Sequence, residues 1–301
     1  MALAHKATWK TRLTVELLRW SPKGTFSRAV GWLAERRVPE GLRAPIYRGF
    51  ARAVGADLEE LDRPLGAFER FDDFFTRPLA VGQRPVDSRP GVIVSPVDGV
   101  VSQLGAIEGG RLLQCKGRDY TVRGLLADEK KAARFEGGTF CTIYLAPRNY
   151  HRIHAPIAGR ITGYRHIPGA FYPVNPLSVN NIQGLFTINE RLTSYLEGEC
   201  GSVALVKVAA TGVGNMTLSY DAVVRTHLGG RKGRLGSERH YPTPLPVERG
   251  QELAMFHLGS TVILLFERGR VELGVASGQP VRMGEAIGAV IEAPRSVGVN
   301  A

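Results

Sequence analysis

Apolar residues recur at two different spacings along this chain, and the spacing changes near Ile93. In the first 55 residues they recur every three or four positions, which is the spacing of one face of an α-helix. Proline and glycine residues, the last of them Pro45, interrupt this pattern and divide it into three predicted short amphipathic helices. The apolar stripes of these helices are Trp9, Leu13, Leu17 and Trp20; Phe26, Val30 and Leu33; and Ile46, Phe50 and Val54.

From Ile93 onward the apolar residues form short runs that are bounded by Gly, Pro and Asn. Such closely spaced runs, with few helical stretches between them, are typical of antiparallel strands. The six-residue run from Thr261 to Phe266 predicts a buried strand. We therefore predict an α+β fold, in which a mostly antiparallel β sandwich or barrel-like core follows N-terminal amphipathic helices.

Two further stretches refine this prediction. Residues 278–291, GQPVRMGEAIGAVI, are similar to the turn and strand of a lipoyl-like barrel-sandwich, so we expect lipoyl-like elements in the core. Residues 225–250 are rich in Gly, Arg and Pro and show no clear period, which indicates an exposed loop. The whole pattern divides the chain into a basic helical region, residues 1–64, and a β-rich domain, residues 65–301.

The composition is that of a folded protein in a reducing compartment. With 301 residues, of which 44% are hydrophobic, the chain can bury a substantial core. Its three cysteines, Cys115, Cys141 and Cys200, include no Cys-x-x-Cys pair and indicate neither a disulfide framework nor a zinc site. No stretch has the roughly 18 to 20 consecutive apolar residues of a membrane-spanning helix, and charges stand where a secretory signal would be apolar.

The net charge of +11 is concentrated at the N-terminus. Residues 1–55 contain eleven Lys or Arg residues and three Glu residues, an excess of eight positive charges. A basic region of this kind fits a nucleic acid, an anionic membrane surface or an ordinary solvated face. Helices with Trp and Phe on one side and Lys and Arg on the other suit the headgroup region of a membrane. The alternative is that their apolar stripes pack on the main domain.

Four side chains are candidates for chemistry: Asp98 in SPVDGV, His151 and His154 in NYHRIHAP, and Ser260 in HLGSTV. The two histidines make a poor metal site, because no third ligand is evident. Together, Asp, His and Ser are the components of an activated nucleophile, in which a base takes the hydroxyl proton and a carboxylate orients the base. Ser260 lacks the Gly-x-Ser-x-Gly turn of ordinary serine hydrolases and instead lies beside the carbonyl of Gly259.

Five phrases in series give the sequence a family resemblance. They are FDDFFTRPL (71–79), VSPVDGVV (94–101), QCKGRDYTVRGLL (114–126), GTFCTIYLAPRNYHRIHAP (138–156) and FHLGSTVILLF (256–266). Together they closely resemble the phosphatidylserine decarboxylase proenzymes of bacteria and mitochondria, over roughly residues 65–290. Five phrases in one order are far more specific than a single Gly-Ser pair.

The resemblance implies a protein that cuts itself to make its own cofactor. Ser260 would attack the carbonyl of Gly259, which would leave a β chain of residues 1–259 and an α chain of residues 260–301. Ser260 would become a pyruvoyl group. Because the ketone of that group serves as an electron sink, neither pyridoxal phosphate nor a metal ion is expected.

The implied activity is the decarboxylation of phosphatidylserine to phosphatidylethanolamine in membrane phospholipid biosynthesis. By resemblance, His154 would take the proton of Ser260 and Asp98 would orient His154. His151 would protonate the substrate carbon after carbon dioxide has left.

A lipid substrate favours the membrane interpretation of the basic helices over the alternative of packing on the main domain. The expected partners are phosphatidylserine in an anionic leaflet, the α and β chains of one precursor and a second copy in a homodimer, with no nucleic acid. The expected location is peripheral, on the cytoplasmic face of the inner cell membrane. Two other functions stay open: a serine esterase that acts on lipid through Asp98, His154 and Ser260, and a non-catalytic, membrane-bound lipoyl-like module.

Overall fold

The computed structural model describes residues 30–115, 117–211, 215–224, 226, 236–257 and 260–291. The strands are β1 Val92–Val94, β2 Gly99–Ala106, β3 Arg111–Cys115, β4 Arg118–Thr121, β5 Thr139–Leu145, β6 Arg152–His154, β7 Gly159–Ile167, β8 Arg191–Gly198, β9 Gly201–Val208, β10 Met216–Leu218, β11 Ser237–Val247, β12 Glu252–Phe256, β13 Ser260–Phe266, β14 Val271–Leu273, β15 Pro280–Val281 and β16 Ala286–Val290. The helices are α1 Glu40–Val54, α2 Phe71–Phe75, α3 Val122–Leu126, α4 Glu129–Ala133, α5 Pro176–Asn181 and α6 Leu185–Ile188, with a 3-10 turn at Leu65–Ala67.

The largest sheet has eight described strands in the order β11-β7-β8-β9-β13-β5-β2-β15, and its strand pairs are antiparallel. Strand β13 lies near the middle, between β9 and β5, and every residue from Ser260 to Phe266 is buried. A continuous apolar run fits such a position, because both faces of a central strand are covered. The predictions of a buried strand and of a mostly antiparallel α+β protein are confirmed.

A second sheet, in the order β10-β12-β6, contains β12, the strand that precedes the predicted cut. Its central strand β12 ends at Phe256, whose N–H donates to the carbonyl of His151 at 3.0 Å. After His257 the next described residue is Ser260, in the eight-stranded sheet. The predicted cut therefore falls where the chain passes from one sheet to the other.

Smaller sheets complete the described part, in the orders β1-β16-β14 and β3-β4. Within the described ranges, the sheets are open rather than closed into a barrel. Residues 278–291 contain β15 and β16. Their lipoyl-like character stays a prediction.

Helix α1 confirms the third predicted helix, but it begins earlier than predicted. It starts at Glu40 and ends at Val54, where Gly55 adopts a left-handed conformation (φ 75°) that favours glycine. Pro45 lies inside the helix, so its predicted role as a boundary was wrong. The loss of one backbone hydrogen bond at a proline is tolerated here, because packing rather than local propensity holds most helices in proteins. The first predicted helix lies outside the described residues, and the second is described from Val30 on, where residues 30–34 are helical.

The buried face of α1 is also displaced from the predicted stripe. Tyr47 and Ala51 are buried, whereas Ile46 remains 45% exposed. The ring of Tyr47 stacks on that of Phe74 in α2, with centroids 4.8 Å apart. Ile46–Phe50 and Tyr47–Ala51 both satisfy the four-residue spacing, so the periodicity could not decide which pair faces the domain.

The prediction of a loop at residues 225–250 was wrong for its second half. The strand β11, which is mostly exposed, lies there and pairs with β7. The strand contains Pro242, Pro244 and Pro246. It is the edge strand of the eight-stranded sheet. Proline lacks an N–H, so an edge strand tolerates it where the missing donor would face outward.

Candidate active site

Ser260 is the first residue of β13 and pairs with Leu145 of β5. Its side chain is only 1% exposed, and its Oγ has no hydrogen-bond partner among the described residues. A buried hydroxyl that lacks both water and a partner costs about 1–3 kcal/mol, so its presence calls for a functional explanation. Its predicted partner in the cut, Gly259, lies outside the described residues.

His151 is fully buried between α2 and the end of β12. Its Nδ1 lies 2.7 Å from the carbonyl oxygen of Asn149, and the ring of Phe75 packs on it with centroids 4.2 Å apart. Because the carbonyl accepts the proton of Nδ1, Nε2 is the basic nitrogen, and it has no partner in the described part of the chain. Burial, with a smaller effect from the positive charge of Arg77, lowers the pKa of His151 to about 3, so this histidine is neutral at pH 7.

His154 has both ring nitrogens occupied. Nδ1 lies 2.8 Å from the carbonyl oxygen of Gly250, so its proton is donated there, and Nε2 lies 3.2 Å from the hydroxyl of Tyr150. Burial lowers the pKa of His154 below its ordinary value, which keeps it neutral and basic at neutral pH. The group in contact with its basic nitrogen is the hydroxyl of Tyr150.

Asp98 is buried and held in an ionic network. Its carboxylate accepts from the Nε of Arg84 at 2.8 Å and from the N–H of Met283 at 2.9 Å. Arg84 also donates to both oxygens of Glu60, at 2.9 and 2.7 Å. Because three hydrogen bonds from Arg84 and Met283 fix the carboxylate, its negative charge has a defined position beside the histidine strand.

Backbone contacts bring the loop of Asp98 and the strand of His154 together. The N–H of His154 donates to the carbonyl of Pro96 at 2.9 Å, and the negative charge of Asp98 opposes the lowering of the pKa of His154 by burial. Gly99, the residue after Asp98, permits a close approach to β5, since a Cβ there would lie 2.5 Å from the carbonyl oxygen of Tyr144. Among the described residues, no hydrogen bond joins Asp98 to His154 or Ser260 to either histidine.

One cavity borders Asp98, and another borders the residue that follows Ser260. One, of about 250 Å³, is lined mostly by apolar side chains and includes Tyr144 and Thr261, the residue that follows Ser260. The other, of about 370 Å³, is bordered by Tyr150, by Asp98 and by several further charged side chains. The smaller cavity is the better candidate for a substrate pocket, because its wall includes the peptide neighbour of the predicted reacting residue.

Three residues near the site were not predicted from the sequence: Tyr150, Arg84 and Asn189. Tyr150 stands next to His151 in NYHRIHAP but belongs to no catalytic pattern that the sequence indicates. Arg84 lies in a segment without any motif. Asn189 is fully buried, and its amide donates to the carbonyl of Ala209 at 2.8 Å, just after β9, the neighbour of β13. The sequence feature that could have identified Asn189 is the polar triplet Asn-Glu-Arg at the start of a buried strand, because buried polar groups need hydrogen-bond partners.

The described residues form neither a metal site nor a membrane-spanning helix. In the described ranges, no group of three or more His, Cys, Asp or Glu side chains is placed to hold a metal ion. None of the helices found there has the length and apolarity needed to cross a membrane.

Comparison with known proteins points in one direction. The family model described as phosphatidylserine decarboxylase matches residues 71–289. A phosphatidylserine decarboxylase proenzyme of Anaeromyxobacter sp. (strain K) is 49% identical over 281 residues, which cover 92% of this chain and 98% of the relative. The proenzymes of Myxococcus xanthus (strain DK1622) and Azotobacter vinelandii (strain DJ / ATCC BAA-1303) are 47% and 44% identical, over 92% and 89% of this chain and 98% and 94% of the relatives.

Proposed function

We propose that this chain, which belongs to the phosphatidylserine decarboxylase family, makes its cofactor by cutting itself between Gly259 and Ser260. It is a self-processing, pyruvoyl-dependent decarboxylase that converts phosphatidylserine to phosphatidylethanolamine and carbon dioxide, and the predicted resemblance is confirmed. The observation that carries the assignment of residues is the buried Oγ of Ser260, which has no described partner at the start of a central strand.

In the proposed cut, His154 removes the proton of Ser260 as the Oγ attacks the carbonyl carbon of Gly259. The C–N bond then breaks and leaves an ester. Loss of the Cα proton of residue 260 expels Gly259 as a carboxylate, and water releases the nitrogen as ammonia. The neutral state of His154 at pH 7 suits a base, and the fixed charge of Asp98 favours the imidazolium that forms.

The position of Ser260 fits a pyruvoyl group, because Ser260 is buried at a strand end and the next residue, Thr261, borders a mostly apolar cavity. That group supplies a ketone that takes up the electrons of the carbon–carbon bond broken in decarboxylation. We assign to His151 the return of a proton to the substrate carbon. It is neutral in the uncut chain, and the negative charges of a bound phospholipid would raise its pKa toward the range in which it can hold that proton.

We further infer that residues 1–64 attach the enzyme to the membrane and residues 65–301 form the catalytic domain. Large apolar side chains in the first region are exposed: Trp32 60%, Leu33 66%, Leu42 53% and Ile46 45%. With the basic charge of this region, they suit an anionic leaflet at the cytoplasmic face of the inner membrane. A homodimer and the lipoyl-like character of residues 278–291 are further parts of this proposal.

Helix α2 supplies a direct connection from this membrane region to the site. Its Phe71 and Phe74 pack on the aromatic residues of α1, and its Phe75 packs on His151. A single five-residue helix therefore contacts both the proposed membrane helix and a proposed catalytic histidine.

Intact-mass analysis of the purified protein tests the proposed cut. The wild-type chain should give two polypeptides, with the α chain lighter than residues 260–301 by the mass of ammonia. Ser260→Ala should remain one inactive chain, whereas the matched control Ser277→Ala should be cut. A single wild-type chain with an intact serine that a fluorophosphonate labels would instead support the esterase. Unchanged function in Ser260→Ala would support the non-catalytic module.

A further inference from the structure

The side chain of His257 joins two other elements just before the proposed cut. Its Nδ1 lies 2.9 and 2.8 Å from the two carboxylate oxygens of Asp72 in α2. Its Nε2 lies 3.1 Å from the Oγ1 of Thr217 in β10, and its backbone N–H donates to the carbonyl of Asn215 at 3.0 Å. We call His257, Asp72 and Thr217 the clamp. From the sequence, His257 had only an ordinary core or surface role.

His257 is the last described residue before the proposed cut, and the clamp holds it in place. Two residues separate His257 from Ser260. Ser260 is in turn fixed in β13 by its pairing with Leu145. The scissile bond is therefore enclosed between two fixed points that belong to different sheets.

Asp72 is itself held in place rather than carried on a free loop. Its neighbours Phe71 and Phe74 pack on Tyr47 of α1, and the backbone carbonyl of Asp72 accepts from the N–H of Thr76 at 2.9 Å. The side chains of His257 and Asp72 are 14% and 16% exposed. Hydrogen bonds to a carboxylate between two largely shielded side chains have a well-defined geometry.

We propose that the hydrogen bonds between His257 and Asp72 hold the chain on the N-terminal side of the proposed cut in position for attack by Ser260. The proposal rests on the self-cleavage proposed above. A nucleophile and its target must lie about 3–3.5 Å apart in the correct orientation, and a 1 Å misplacement costs on the order of a hundredfold in rate. Only two residues separate His257 from Ser260, so loss of the clamp would free the chain close to the proposed cut. His257 is thus a positioning residue that takes no part in proton transfer to the serine.

The rate of self-cleavage, measured on the full-length chain, tests the clamp. The chain is made by cell-free translation with a pulse of labelled methionine, and the half-time of conversion to two chains is read on denaturing gels. We expect Asp72→Asn and His257→Gln each to lengthen this half-time about 10- to 100-fold. The matched control is Asp73→Asn on the same helix, because the carboxylate of Asp73 caps the N–H of Arg70 instead; its cleavage should keep the wild-type rate.

Two further variants separate positioning from a general structural effect. The double variant Asp72→Asn with His257→Gln should be no slower than the slower single variant, because both remove one interaction. His257→Lys keeps a side-chain N–H donor for Asp72 and should recover most of the rate. Melting temperatures of the same variants, measured in uncut Ser260→Ala chains, should stay within a few degrees of the parent, since one hydrogen bond contributes about 1 kcal/mol, which is about 2–4 °C in a domain of this size.

Wild-type cleavage rates in both single variants would overturn the proposal, and so would multiplicative slowing in the double variant. A large fall in melting temperature that accompanies slow cleavage in every variant, including His257→Lys, would also overturn it in favour of a structural role. An uncut wild-type chain is a different outcome, because it would refute the self-cleavage on which the clamp depends.

Discussion

Replacing Lys207 with methionine should stabilise the folded protein at neutral pH, although it removes a hydrogen-bonded amine. Lys207 lies in β9 opposite Val262 of β13 and is fully buried. Its Nζ donates to the Oγ of Ser194 at 2.6 Å, and that oxygen lies 2.6 Å from the hydroxyl of Tyr220. In the described part of the chain no carboxylate forms an ion pair with this amine.

The size of the effect follows from the pKa. Burial lowers the pKa of Lys207 from 10.5 to about 7. At pH 7 the unfolded chain holds the proton fully and the folded chain holds it about half the time, which reduces the free energy of unfolding by about 4 kcal/mol relative to a neutral side chain. The lost hydrogen bond to Ser194 offsets about 1 kcal/mol. We therefore expect Lys207→Met to raise the free energy of unfolding by about 3 kcal/mol at pH 7.

The gain in the free energy of unfolding from Lys207→Met should increase as the pH falls. Because the pKa of Lys207 is lowered in the folded state, the unfolded state binds the extra proton between pH 10.5 and about 7. The gain in Lys207→Met should therefore be small near pH 10, grow by about 1.4 kcal/mol for each pH unit down to about 7, and stay constant below that. Urea unfolding of Ser260→Ala chains at several pH values measures it on a single, uncut polypeptide.

Lys130→Met is the matched control, because Lys130 lies exposed on α4. Its effect should stay within about 0.5 kcal/mol at every pH. A gain in Lys207→Met that is the same at pH 10 as at pH 7 would refute the reasoning that burial neutralises this amine. A loss of stability at every pH would show that the hydrogen bonds around Ser194 outweigh the cost of burial.

Three further predictions concern the site and the membrane region. His154→Ala should leave the precursor uncut, whereas His151→Ala should be cut and still fail to release carbon dioxide; gels and a radiolabelled carbon dioxide assay distinguish the two, and the reverse pattern would exchange their roles. Arg84→Met should leave a buried carboxylate without its partner, lower the free energy of unfolding by about 3–5 kcal/mol in urea and slow the cut; an unchanged stability would contradict this. Leu42→Glu with Ile46→Glu should weaken binding to phosphatidylserine vesicles at least about tenfold in flotation assays, with self-cleavage as the check on folding, and unchanged flotation would contradict membrane contact.

Local patterns predicted the elements whose environment is set by their own sequence. The run from Thr261 to Phe266 is apolar at nearly every position, so only a strand covered on both faces could hold it. Helix α1 carries apolar residues at neighbouring positions, and its orientation is decided by the rings of Phe68 and Phe74, which lie elsewhere in the sequence. The existence of that helix could be predicted, but its buried face could not.

The same distinction applies to the site. Asp98, His154 and Ser260 stand in recognisable phrases, whereas the partners that hold such groups come from distant segments. Arg84 reaches Asp98 across 14 residues, and Asp72 reaches His257 across 185. Contacts of this kind depend on tertiary packing, which no periodicity or short motif encodes.

The position of the proposed cut would allow two chains to remain one enzyme. The proposed α chain, which begins at Ser260, contributes β13 between β9 and β5, and β16 between β1 and β14. Its β15 pairs with β2 as well. Because β13 is hydrogen-bonded on both edges and buried on both faces, breaking the single bond before it leaves the sheet intact. The N-terminus of the proposed α chain would therefore stay where Ser260 is held, next to Thr261, which borders the mostly apolar cavity.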